Sequence, residues 1–181
     1  MAAFEVIDHV QFGSDTAYYE KTSIPDTYQH LYILGCSRST RSAYADGSGI
    51  RLNGHSSNGD YHMSTILIWG PSSPGAYDTV GDTQSSIGYF MDSPGASAES
   101  NVFGTSHCWI LDYAAEDKFT GMLGGASSVG YSGDTNDYQH TFNHGHCTQT
   151  KTEKIHTVRI INGVGNFAAG SAWTIYGVNS A

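Results

Sequence analysis

Basic residues are scarce in this chain. Of 181 residues only 8 are Lys or Arg, against 17 Asp or Glu, for a formal charge of −9 with His neutral. The eight (Lys21, Arg38, Arg41, Arg51, Lys118, Lys151, Lys154 and Arg159) form no cluster of the density that phosphate neutralisation requires, which speaks against nucleic acid as a partner. An acidic surface suits solubility and keeps free subunits apart before assembly. Long apolar runs are missing as well. No window nears the roughly 18 to 20 apolar residues of a membrane span, and the longest clusters, Leu31 to Leu34 and Ile66 to Trp69, are strand-sized. Residues 1–12 have neither a basic start nor the apolar run of a secretory signal, so the expectation is synthesis and use from the cytoplasm, with no membrane partner. Cysteine is sparse too: Cys36, Cys108 and Cys147 are an odd number without short paired spacing. In the absence of an export signal they are expected to be buried, reduced thiols in or beside strands.

Glycine and tyrosine are abundant, at 22 and 12 residues. With so few Lys and Arg, that balance favours turns and strands over long helices. A chain of this length makes one core that buries about 70% of the unfolded surface. Apolar or alternating runs predict ten strands, near Phe4–Phe12, Leu31–Ser37, Ile50–Asn53, Thr65–Trp69, Ser86–Met91, Cys108–Tyr113, Lys118–Leu123, His140–Cys147, Ile155–Ile161 and Ala172–Val178. Asp46-Gly-Ser-Gly49, Asn53-Gly54, Gly70-Pro71 and Ser93-Pro-Gly95 supply turns between them. The predicted fold is all-β, a single-domain antiparallel β-sandwich. Residues 1–22 read as an N-terminal strand or arm and 23–181 as the sandwich itself. In His30–Cys36 both alternating sets are apolar, which predicts a central strand covered on both faces. The stretch from Pro71 to Asn101 reads as two long surface loops around one short strand. The last two runs, joined by Gly163, Gly165 and Gly170, read as a closing β-hairpin.

Residues with catalytic or ligating chemistry are present without the spacing that would organise them. His144 and His146 share one face of an extended strand and offer two nitrogens to a metal, but Cys147 points the other way, so ordinary strand histidines are the expected reading and no metal or other cofactor is assigned. No Gly-x-Ser-x-Gly elbow occurs, and the adjacent side chains of His107 and Cys108 diverge in a strand. Acidic loops such as Asp112 with Glu116 and Asp117 lack the order of a calcium loop. The expectation is a protein that is not an enzyme. Tyrosine is the residue that suggests contact: Tyr18, Tyr19, Tyr61 and Tyr77 fall in or near predicted loops, where the ring gives rigid amphipathic area for a protein or sugar surface. At the N-terminus Phe4, Val6, Ile7 and Val10 are candidates for an anchoring strand to a neighbouring subunit.

Several segments resemble one family. Gly165-Asn-Phe-Ala-Ala-Gly-Ser171, followed by Ile175-Tyr-Gly-Val178, is similar to the C-terminal ending of small β-rich virion proteins of tailed bacteriophages, especially those of marine bacteria. Ser23-Ile-Pro-Asp-Thr-Tyr-Gln-His-Leu31 with Ser37-Arg-Ser39 resembles that family's N-terminal signature. Ile50-Arg-Leu-Asn-Gly54 and Trp109-Ile-Leu-Asp-Tyr113 resemble two of its strands. The resemblance implies a jelly-roll-like sandwich that builds the virion, as a capsid decoration or head-surface protein. The alternative is a tail-fibre or tail-adaptor module that contacts a host glycan. It implies other virion proteins as partners and a homo-oligomer, with a trimer favoured.

Overall fold

The computed structural model describes residues 4–69, 75–129, 138–146 and 152–179, with the side chains of 64–69, 75–84, 87–92, 129 and 138–146 left aside. Among the described residues twelve strands follow one another: β1 (Phe4–Gln11), β2 (Tyr18–Lys21), β3 (His30–Ser37), β4 (Ala45–Leu52), β5 (Tyr61–Trp69), β6 (Gly75–Gln84), β7 (Ile87–Pro94), β8 (Gly104–Leu111), β9 (Gly121–Val129), β10 (Tyr138–His146), β11 (Val158–Asn162) and β12 (Ala172–Val178). Among the described residues there is no helix. All pairings are antiparallel. They make a larger sheet in the order β1-β12-β3-β8-β9-β10-β5-β6 and a smaller one in the order β2-β11-β4-β7.

Within that order sits a jelly roll. The runs β1-β12-β3-β8 and β2-β11-β4-β7 are the two four-stranded halves of a double-sheet sandwich in which the first strands of the chain pair with the last. The hairpin β5–β6 is inserted between β4 and β7, and β9–β10 between β8 and β11; both join the larger sheet beyond β8 and double its width. The all-β sandwich expected from composition and turn spacing is therefore the fold.

The core lies where the alternating residues of the two sheets meet. Leu31, Ile33, Cys108, Ile110, Met122, Trp173 and Ile175 come from the larger sheet, and Tyr19, Ile50, Leu52, Val158 and Ile160 from the smaller. Phe12 and Phe167 close one region of it, with ring centroids 5.9 Å apart. Trp173 is fully buried and lies over Gly35, its register partner on β3, where an added Cβ would fall 1.9 Å from the indole. Burying a side chain of that size supplies several kcal/mol.

Four expectations about local structure are corrected. The closing runs are not a hairpin: β11 pairs with β2 and β4 in the smaller sheet, while β12 pairs with β1 and β3 in the larger. The glycine-rich turn between them bridges the two layers, because a jelly roll sends successive strands to opposite sheets. Residues 4–21 are not a separable arm, since β1 and β2 are integral strands, one in each sheet. The stretch after Pro71 holds two strands, β6 and β7, in place of one flanked by loops. Finally, β3 is central but covered on one side only. Leu31, Ile33 and Ser37 face the core, whereas Leu34 on the other side is 43% exposed.

Candidate docking face

The outer side of the larger sheet follows from the same alternation that builds the core. When Leu31, Ile33 and Ser37 turn inward, His30, Tyr32, Leu34 and Cys36 must turn outward. On β8 the outward set is Thr105, His107, Trp109 and Leu111, and on β12 it includes Ala172, Thr174 and Tyr176. Register then aligns the rings across strands: Val6 on β1 opposes Tyr176, which opposes Tyr32, which opposes Trp109, which opposes Leu123 on β9.

Large aromatic and aliphatic groups therefore form one ridge. Tyr32 and Trp109 have centroids 4.8 Å apart, and Tyr176 lies 6.2 Å from Tyr32. Phe4 stands edge-on to all three, at 6.0, 5.9 and 6.1 Å. Edge-to-face pairs of this kind each add about 0.5–1.5 kcal/mol beyond their area. Burial among these neighbours, with Tyr176 the next contributor, pushes the Tyr32 phenol above its ordinary range, so it stays neutral. Phe4, Val6, Leu34, Leu111 and Leu123 remain substantially open to solvent on this one face. Beside the ridge lies a shallow apolar depression lined by Leu34, Gly35, Cys36, Thr105, Ala172 and Thr174.

Charge is confined to the border of this region, where Asp112 lies 3.5 Å from His30. The six adjacent strands β12, β3, β8, β9, β10 and β5 contain no Asp, Glu, Lys or Arg, whereas every strand of the smaller sheet contains at least one. Polar groups on the face are hydroxyls and imidazoles: His9 is bonded to Thr174 (2.8 Å), and His30 accepts the backbone N–H of Asp112 (2.9 Å).

The residues singled out in the sequence do not gather at one place. Phe4 and Val6 do reach the exposed face, while Ile7, at the register shift of β1, and Val10 pack against the core. Tyr19 and Tyr61 are corrected. Tyr19 is buried and donates to Asp8 (2.6 Å), and Tyr61 is fully buried with its hydroxyl accepting the N–H of Leu52 (2.8 Å), so neither can meet a partner. Tyr18 is exposed on the smaller sheet, with the Arg159 guanidinium 4.6 Å from its ring centroid. Tyr77 lies in strand β6 instead of a loop, and His144 and His146 lie in β10; the side chains of all three fall outside those described. Cys108 is buried and free as expected, Cys36 is free but only half-buried on the outer face, and Cys147 lies outside the described residues. Among the described residues no three His, Cys, Asp or Glu side chains are grouped as metal ligands would be.

Sequence reasoning missed Tyr32, Trp109, Tyr176, Leu34 and Leu123. The signal available for them was the run of chargeless strands, each with apolar residues on both alternating sets. No protein-family model matches the chain, and no curated protein is similar to it at a significant level.

Proposed function

We propose that this chain is a non-enzymatic structural subunit of a tailed-bacteriophage particle, placed at the capsid surface and bound there to other virion proteins. The observation that carries the reading is the neutral, aromatic outer face of a jelly roll whose remaining surface is acidic. Depletion of charge with enrichment of aromatic groups marks the core of a protein–protein contact, and a free monomer has no use for so large an apolar patch. Support comes also from the positions of the family-like segments. Three of them hold the scaffold: Tyr28 covers Gly177 of β12, Arg38 donates to the carbonyls of Ala98, Glu99 and Val102, and Asn53 bonds the backbone of residues 154, 156 and 157.

Immunogold labelling of purified particles with antibody to this protein tests the proposal. Gold confined to heads is the expected result. Gold on tails would move the subunit to a tail module that grips a host glycan, and unlabelled particles would overturn the virion reading altogether.

A further inference from the structure

We infer that the outer face of the larger sheet is covered by a second copy of this chain, packed sheet against sheet. The inference rests on the reading of that face as a docking surface and names its occupant.

Electrostatics selects the partner. All 8 basic and all 17 acidic residues lie outside the six chargeless strands, so two copies repel one another wherever the acidic surfaces approach and do not where these faces meet. A two-fold contact sets the same patch against itself, and a neutral patch satisfies that requirement without burying an unpaired charge. A basic partner would gain more from the acidic surface elsewhere on the molecule than from this face.

Area is sufficient. Six strands about 4.8 Å apart and about eight residues long at roughly 3.3 Å per residue span on the order of 750 Å². A stable pair needs about 800 Å² per partner. The exposed Phe4, Val6, Leu34, Leu111 and Leu123 supply the apolar groups that such a contact would remove from water.

Shape supplies the register. The ridge through Tyr176, Tyr32 and Trp109 and the depression lined by Cys36, Ala172 and Thr105 lie on opposite sides of the row formed by Thr174, Leu34 and His107. A two-fold axis in the contact plane along that row seats each copy's ridge in the other's depression. Two sheets so placed pack about 10 Å apart, as in the interior of a sandwich.

Sedimentation analysis of the purified full chain, without particles, tests this from low micromolar to about 100 µM. The wild-type protein should show a mass of two chains of 19.4 kDa. Leu34→Glu should weaken association roughly 100-fold or more, because on the axis row it places a carboxylate against its own image, and Leu123→Glu, on the ridge row, should do so because it buries an unpaired carboxylate in the neutral contact. Both positions are exposed enough in the single chain for the variants to fold, which an unchanged circular dichroism spectrum and thermal transition would verify. Val164→Glu, exposed away from this face, should associate like the wild type. A wild-type monomer throughout the range overturns the inference, as does an oligomer indifferent to both face variants. A wild-type monomer that binds capsids, with binding lost in Leu34→Glu, assigns the face to another virion protein and also overturns it. A dimer that breaks with the variants while particles stay unlabelled sustains the inference and removes the virion reading, so the two fail separately.

Discussion

Asp46 is 1% exposed, and its carboxylate receives the Ser39 hydroxyl (2.7 Å), the N–H groups of Gly165 (2.8 Å) and Val164 (3.2 Å), and an ion pair with Arg41 at 3.7 Å. It ties β4 to the bridge between β11 and β12. Nearby, the Ser37 and Ser48 hydroxyls meet Ser93, and Asn162 accepts from Ser48, all of them buried. Asp46→Ala strands several donors at once, and a loss of about 2–4 kcal/mol follows, read as a lower midpoint of urea unfolding with an unchanged slope. At this scale the sequence was legible in motif but not in role. Ser37-Arg-Ser39 stood out as a pattern, yet only the fold shows that Ser37 joins a buried network, Arg38 clamps residues 98–102 and Ser39 holds Asp46. Asn53-Gly54 was readable as a turn, and both residues do have positive φ, at 50° and 76°.

Strands were legible wherever apolar residues alternate over a full run. β1, β3, β10 and β12 fall close to where their patterns place them, whereas β8 begins four residues before the expected Cys108. β2 is only four residues, two of them charged, and β6 carries Gly, Asp and Thr, so neither presents the apolar run that marks a strand; both are fixed by their partners β11 and β5. Long-range pairing also explains the misread ending, since two adjacent runs with a glycine turn look alike whether they pair or part to different sheets. The consequence for β1 is testable. Its strand pairs only with β12 on one side, but Ile7, Val10 and the following Phe12 all pack on the core. Removing residues 1–12 should cost at least about 4 kcal/mol, lowering the thermal midpoint by roughly 10 °C or more. A truncated chain that melts like the full one would restore the separable arm.

For the whole molecule, the distribution of protons and charge sets the conditions under which it lasts. Burial, assisted by the Asp8 hydrogen bond, holds the Tyr19 phenol far above its ordinary 10.0, and burial holds the Cys108 thiol far above its ordinary 9.0. The unfolded chain releases both protons near those ordinary values while the native state keeps them. The unfolded state then binds fewer protons, and stability falls as pH rises, at about 1.4 kcal/mol per pH unit for each group. Urea midpoints should be level between pH 7 and 8 as far as these groups contribute, then decline above about 9 and more steeply above about 10. A midpoint that holds to about pH 11 would show that the two groups titrate normally in the fold.

The pairing of β1 and β2 with β12 and β11 also sets a timetable. β1 and β2 leave the ribosome long before their neighbours β12 and β11 are made, so neither half of the jelly roll can close early, and folding is expected to be slow for a chain of this size. Until then the apolar groups of the chargeless strands stay open to contact between nascent chains. Low temperature and slow synthesis should therefore raise the soluble yield more than any change to the finished surface.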